Sequence, residues 1–317
     1  MSVPSENNSG NIKQNTAKLS VISNSSLFVL KFIVGFSIGS VSIISEAIHS
    51  GMDLLAAVIA FFSVKKSEEP PDTEHEFGHG KFEDFSGLIE AFLIFAAAVL
   101  IIFEALSKLM EGEHSIEPSG MFLAGVAVMG VSALVNWVVS GRLMDTAKKT
   151  ESIALESDAW HLRTDVYTSL GVFAGLILIK ITGIYALDSV IAIAVAFVIL
   201  HAAFDLTKRS LSDLIDRSIP EKDKQRIKDI ICEHESEYAG FHGLKTRRAG
   251  PEIFINLHLV VSGDVTVRQS HDLEDHIESD LKVEFPRSVV TIHVEPCNEG
   301  KNGCDRCGSF CNYKKKS

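Results

Sequence analysis

Six stretches of this 317-residue chain stay apolar for about the length of a bilayer crossing, roughly 18–38, 41–64, 84–108, 119–141, 153–180 and 184–207. No water in hydrocarbon satisfies backbone N–H and C=O groups, and a helix pairs them all within one crossing segment. Runs of about twenty residues match transmembrane helices. The expected architecture is therefore a six-helix membrane domain. A hydrophobic fraction of 46% beside 22% charged residues fits a chain whose apolar and polar parts are segregated.

Ionisable groups inside such runs are costly unless something binds them. His161 and Asp165 open the fifth run in SDAWHLRTDVYTSLGV, four residues apart and so one turn apart on one helix face. His49 and Asp53 repeat the spacing in the second run, within IISEAIHSGMDLLAAVIAFF. Two such faces brought together offer two nitrogens and two oxygens, a tetrahedral donor set suited to zinc. Lys31, Glu46, Asp188 and His201 also fall in the runs, while Glu90, Glu104 and Asp205 read as helix-end residues or residues of the bundle interior.

Between the second and third runs lies PPDTEHEFGHGKFED. His75 and His79 spell H-E-x-x-H, with Glu76 as the would-be base of a metalloprotease. That motif requires a helix, and Pro70, Pro71, Gly78 and Gly80 make a poor one. A metal site of Asp72, His75 and His79 is the expected alternative, beside that of a plain solvated loop.

Past Arg209 the pattern changes. A helix beginning at Pro220, two strands flanking Gly250-Pro251, a helix in TVRQSHDLEDHIESDLKVEF and a last strand SVVTIHVEP give an αββαβ order over about ninety residues. His242, His258, His271, His293 and Glu295 lie on strands or at helix starts that could converge on metal. His293 and Glu295, two apart on a strand, share a face. Four of the five cysteines, Cys297, Cys304, Cys307 and Cys311, crowd into the end of the chain. This is no disulfide framework, and a thiolate zinc site is one reading of it. The domain plan is a polar tail at 1–17, the membrane domain at 18–208, the soluble domain at 209–297 and a Cys-rich tail at 298–317.

A formal charge of −11 with no basic stripe argues against nucleic acid as a partner. The polar first fifteen residues argue against a cleaved signal peptide. Lys13, Lys18, Lys65, Lys66, Lys81, Arg142, Lys148, Lys149, Lys208 and Arg209 collect on one side of the six runs, with Lys108 and Lys180 opposite. Both termini are then expected in the cytoplasm.

In these motifs taken together, the chain resembles the cation diffusion facilitator family over roughly 18–297. The resemblance rests on NSSLFVLKFIVGFSIGSVSIISEAIHSGMD, FGHGKFE, SDAWHLRTDVYTSLGV and IHVEPC together. It implies six transmembrane helices, a cytoplasmic domain of metallochaperone-like shape, a homodimer, and export of divalent metal in exchange for protons. By position it implies a transport site of His49, Asp53, His161 and Asp165, and a loop site of Asp72, His75 and His79. It further implies a binuclear site at the cytoplasmic dimer interface from His242, His258, His271, His293 and Glu295. Lys81 and Asp216 resemble a charged pair that locks the protomers together. Some bacterial members carry Asp at the position of His49, and Glu295 replaces a usual Asp. The expectation is an inner-membrane zinc/proton antiporter with zinc both as cargo and as a structural or regulatory ion, other divalent transition metals being alternatives. A membrane metalloprotease or a non-transporting metal sensor are the rivals from other classes.

Overall fold

The computed structural model describes residues 6–38, 41–111, 120–182 and 186–297. Cys304, Cys307 and Cys311 lie outside the described residues; so do the side chains of His49, Glu46, Glu104 and Asp188, whose backbones belong to helices. The chain forms two units, Met1–Leu214 and Ile215–Ser317.

The first unit is all helix: α1 Glu6–Ile38, α2 Val41–Ser67, α3 Lys81–Glu111, α4 Gly120–Thr150, α5 Ile153–Thr182 and α6 Ala186–Leu214. Among the described residues, Gly10–Val34, Lys81–Ser107 and Ser189–Leu214 are long and apolar enough to cross a membrane by length and composition. The helices outrun the apolar stretches. In particular α1 begins at Glu6, so most of the expected polar tail 1–17 is helical. The cause is Lys13, which is fully buried. Its Nζ donates to Glu83 Oε1 at 2.7 Å and also pairs with Glu68, tying the polar turns of α1 to α2 and α3. Glu83 accepts further from Ser67 Oγ at 2.8 Å and from Ser152 Oγ.

Small residues set the helix crossings. A Cβ on Gly87 of α3 would sit 2.5 Å from Ile153 Cγ2 and 3.2 Å from Ser157 Oγ of α5, and 3.0 Å from Ser210 Oγ of α6. Only glycine lets these helices meet so closely. Ala91, Ile94 and Ala98 of α3 pack on Ile199, Ala203 and Leu206 of α6. Leu143 and Ala147 of α4 pack with Leu155, Ala159 and Leu162 of α5. These two helices are nearly continuous: the backbone turns at Glu151, φ 53°, and Ser152 before α5 starts.

The second unit has α7 Glu221–Glu233, β1 Gly240–Ala249, β2 Glu252–Val261, α8 Val267–Glu284 and β3 Ser288–Pro296. The sheet order is β1-β2-β3, with β1 antiparallel and β3 parallel to β2. A parallel pair needs a crossover, and α8 supplies it. Thr266 caps α8 reciprocally with Gln269, each satisfying the other's backbone N–H. Along β2 the side chains alternate: Ile255, Leu257 and Leu259 join Ile227, Ile231, Leu273, Ile277 and Leu281 in the core, while Asn256 and His258 take the other face. That other face carries the histidines.

Candidate functional site

In the helical unit, α2 and α5 bring together residues 108 positions apart in sequence. His161 Nε2 lies 3.1 Å from Asp53 Oδ1, with Asp53 only 3% exposed. Asp165 follows one turn later on α5, where Asn136 of α4 donates Nδ2–H to its Oδ2 at 3.2 Å. His49 precedes Asp53 by one turn of α2, which puts its backbone at the matching register position. Three of the four expected donors are thus placed side by side by their described side chains. Asn136 was not foreseen. It is 5% exposed, and its Oδ1 has no hydrogen-bond partner. The one signal in the sequence was a lone amide in an otherwise uncharged run. Imidazole and carboxylate donors together suit a borderline divalent ion, and a ligating imidazole must be neutral, so metal and proton compete there.

The 68–80 segment between α2 and α3 is not helical, with Gly78 at φ 80°. The H-E-x-x-H string therefore lacks the geometry of a protease. His75 and His79 nevertheless converge, their ring centroids 4.6 Å apart, and the third member is Asp72 rather than Glu76. His79 is 2% exposed; its Nε2 is 3.2 Å from Asp72 Oδ2, a pairing not aligned as a hydrogen bond. The backbone N–H groups of His75 and Glu74 donate to Asp72 Oδ1 at 2.6 and 2.9 Å. The His75 N–H is the main cause that holds the Asp72 carboxyl down at about 2. A folded-state value below the unfolded one adds stability to the loop above the ordinary carboxylate range and loses it as pH falls through the folded value. Carbonyl NMR of the metal-free protein should find Asp72 titrating at about 2, with no transition in the ordinary range.

In the second unit the strand register makes a row. His242 pairs with His258, and His258 with His293, across β1, β2 and β3. The ring centroids are 5.0 and 5.1 Å apart. Glu295 closes the group: its Oε1 is 2.7 Å from His258 Nδ1, and its Oε2 is 3.6 Å from His242 Nε2. The hydrogen bond from His258 is the main reason its carboxyl lies below the usual range. His242, His258 and Glu295 each bring a donor atom within 4.8 Å of the others. His293 is on the same row with its Nε2 3.9 Å from Glu295 Oε1. A bulge at Gly243, φ 65°, makes the register possible; a Cβ there would come 3.0 Å from the His258 ring. His271 is not brought into the group in this chain. It sits at the start of α8, exposed and 3.7 Å from Asp275. Lys81 donates to the Leu214 carbonyl at 3.1 Å, and Asp216 accepts from Arg247 at 3.4 Å. Cys297 forms no disulfide among the described residues, and its backbone N–H bonds to the Val261 carbonyl at 2.7 Å, extending the β2–β3 edge.

Two family descriptions match the chain: the cation efflux transmembrane domain over residues 17–215 and the cytoplasmic domain of cation efflux proteins over 219–297. An uncharacterized transporter of Synechocystis sp. is 37% identical over 264 residues, covering 83% of this chain and 84% of that protein. The cation-efflux pump FieF of Pectobacterium atrosepticum is 31% identical over 280 residues, covering 85% and 88%. A solved structure of CzrB in its Zn form is 42% identical, with a TM-score of 0.26; it covers 27% of this chain and 98% of that one.

Proposed function

This chain belongs to the cation efflux, or cation diffusion facilitator, family, and from that premise we propose that it exports zinc in exchange for protons by alternating access. It is a membrane transporter of cations and not an enzyme. The single observation that carries the finer reading is the Asp53–His161 contact between α2 and α5, at 3.1 Å and nearly shielded from solvent. With Asp165, and with His49 of α2 as the fourth donor, the proposed cage would have two nitrogens and two oxygens. Zinc accepts four such donors without electronic preference for another geometry. Metal entering the cage displaces a proton from an imidazole, and the imidazole regains one from the far side after release.

The second unit acts in this proposal as a metal-dependent clamp of a homodimer, over 209–297, with both termini in the cytoplasm of a cell whose inner membrane holds the helical unit. Its own chain supplies His242, His258, His293 and Glu295; His271 would have to come from the partner copy. Asp72, His75 and His79 form a separate loop site.

The test is flux into proteoliposomes across a panel of divalent metals with and without an imposed pH gradient. Zinc should move fastest, with proton counterflow. Protein that binds zinc but carries no metal would be a sensor, and zinc flux indifferent to the gradient would end the exchange mechanism. The clamp has its own readout. Zinc at about a hundred times the site's Kd should add ~2.7 kcal/mol to stability. The His258→Ala, His293→Ala double variant should lose that increment, and an unaltered increment would reduce the row to surface histidines.

A further inference from the structure

Glu90 of α3 belongs to none of the sites above. It is fully buried, and neither carboxylate oxygen has a hydrogen-bond partner. Its position follows from the tight crossing at Gly87, one turn earlier, which seats α3 against Ile153 and Ser157 of α5. Asp158, next to Ser157, is also fully buried with neither oxygen hydrogen-bonded, although the Ser20 hydroxyl of α1 lies beside it. Asp158 is near enough for its charge to act on Glu90, and it in turn feels His161 and Asp53 of the cage.

The described surroundings supply no counter-charge. Among the described residues of the helices packed against α3, Asp158 is the titratable group that acts on Glu90. On α6, His201 and Asp205 are exposed and 3.6 Å from each other, Lys208 is exposed, and Arg209 pairs with Glu156 of α5. On α2, Asp53 turns to His161, and Lys66 pairs with Glu69 at the helix end. A carboxylate held charged in such an interior without a cation or a donor is too costly to persist, and two adjacent carboxyl groups hold a proton more cheaply than two charges.

We propose that Glu90, coupled through Asp158 to the cage, is a second proton-binding site of the membrane unit, distinct from His161. A divalent ion arriving between Asp53 and Asp165 brings positive charge toward Asp158. Glu90 then releases its O–H proton to water on the side open at that moment, keeping the bonding pair as carboxylate. When the metal leaves, the carboxylate takes a proton back. The proposal rests on the exchange reading above.

The experiment compares Glu90→Gln with the unaltered protein and Glu90→Asp in proteoliposomes, counting protons and zinc ions moved. Glu90→Gln should carry zinc more slowly and with about one proton fewer per ion, and Glu90→Asp should restore the count. If the unaltered protein moves no protons, the exchange reading fails whatever Glu90 does. If it does move them and Glu90→Gln keeps the full count, the exchange reading stands and Glu90 is not a proton site. A chemical readout needs no variant. An apolar carbodiimide reacts with protonated carboxyl groups, so in the native protein it should form an adduct on Glu90 that zinc suppresses. No adduct, or one that zinc leaves unchanged, overturns the proposal.

Discussion

Asp53→Ala should lower zinc flux at least about a hundredfold, more than the loss typical of an outer-shell partner of a metal ligand. The side chain is nearly sealed from solvent, and its Oδ1 is 3.1 Å from His161 Nε2. Alanine removes one of the four donors proposed above and opens a hole that water can enter. The ion would then be underbound, and the imidazole would lose the partner that orients it. Asp53→Asn separates these effects, since it keeps the shape and removes the charge. Both variants should give folded, membrane-inserted protein with a melting temperature near that of the parent. Unaltered flux in Asp53→Asn would remove Asp53 from the cage.

The second large effect is on stability. Lys13→Met should cost about 3–5 kcal/mol, the usual loss when one partner of a buried ion pair is deleted. Lys13 and Glu83 are both fully buried and 2.7 Å apart. With the ammonium gone, the hydroxyls of Ser67 and Ser152 are what Glu83 keeps among the described residues. Adding Glu83→Gln should recover most of the loss, because the stranded charge disappears with its carboxylate. Unfolding free energies of the parent, the two single variants and the double variant in mixed micelles give the cycle. A single variant as stable as the parent would show that the pair contributes nothing.

How much of this was readable beforehand depended on the range of the signal. The approach of Asp53 to His161 was legible because His49/Asp53 and His161/Asp165 are each a spacing of four inside an apolar run, a local pattern with a known face. The αββαβ order was legible from period-2 strands and punctuating turns, and the last strand, Ser288–Pro296, coincides with the segment read from sequence. The row His242–His258–His293 was harder. Its members were visible as candidates, but the alignment depends on a bulge at Gly243 and on a parallel pairing that only the folded sheet defines. The misreading of 6–17 as a tail has the same origin. Polar composition is a local property, whereas the Lys13 partner Glu83 lies 70 residues away. Asn136 and Asp158 are not legible in the sequence, because a single polar residue in a helix announces nothing until its neighbours are known. The H-E-x-x-H string shows the converse. A local motif was present, and a Gly- and Pro-rich backbone denied it the helix on which its meaning depends.

The joint between α4 and α5 gives the bundle a lever. Ser152, the residue just before α5, is held to Glu83 of α3, which anchors that end of the helix. At 1.5 Å per residue, His161 rides roughly 13 Å from that anchor and the far end of α5 at Thr182 roughly 45 Å. A swing about Ser152 therefore moves the distant tip more than three times as far as the histidine. In the alternating access proposed above, such a swing would open one end of the helix widely while the donor it carries shifts by about a third of that distance.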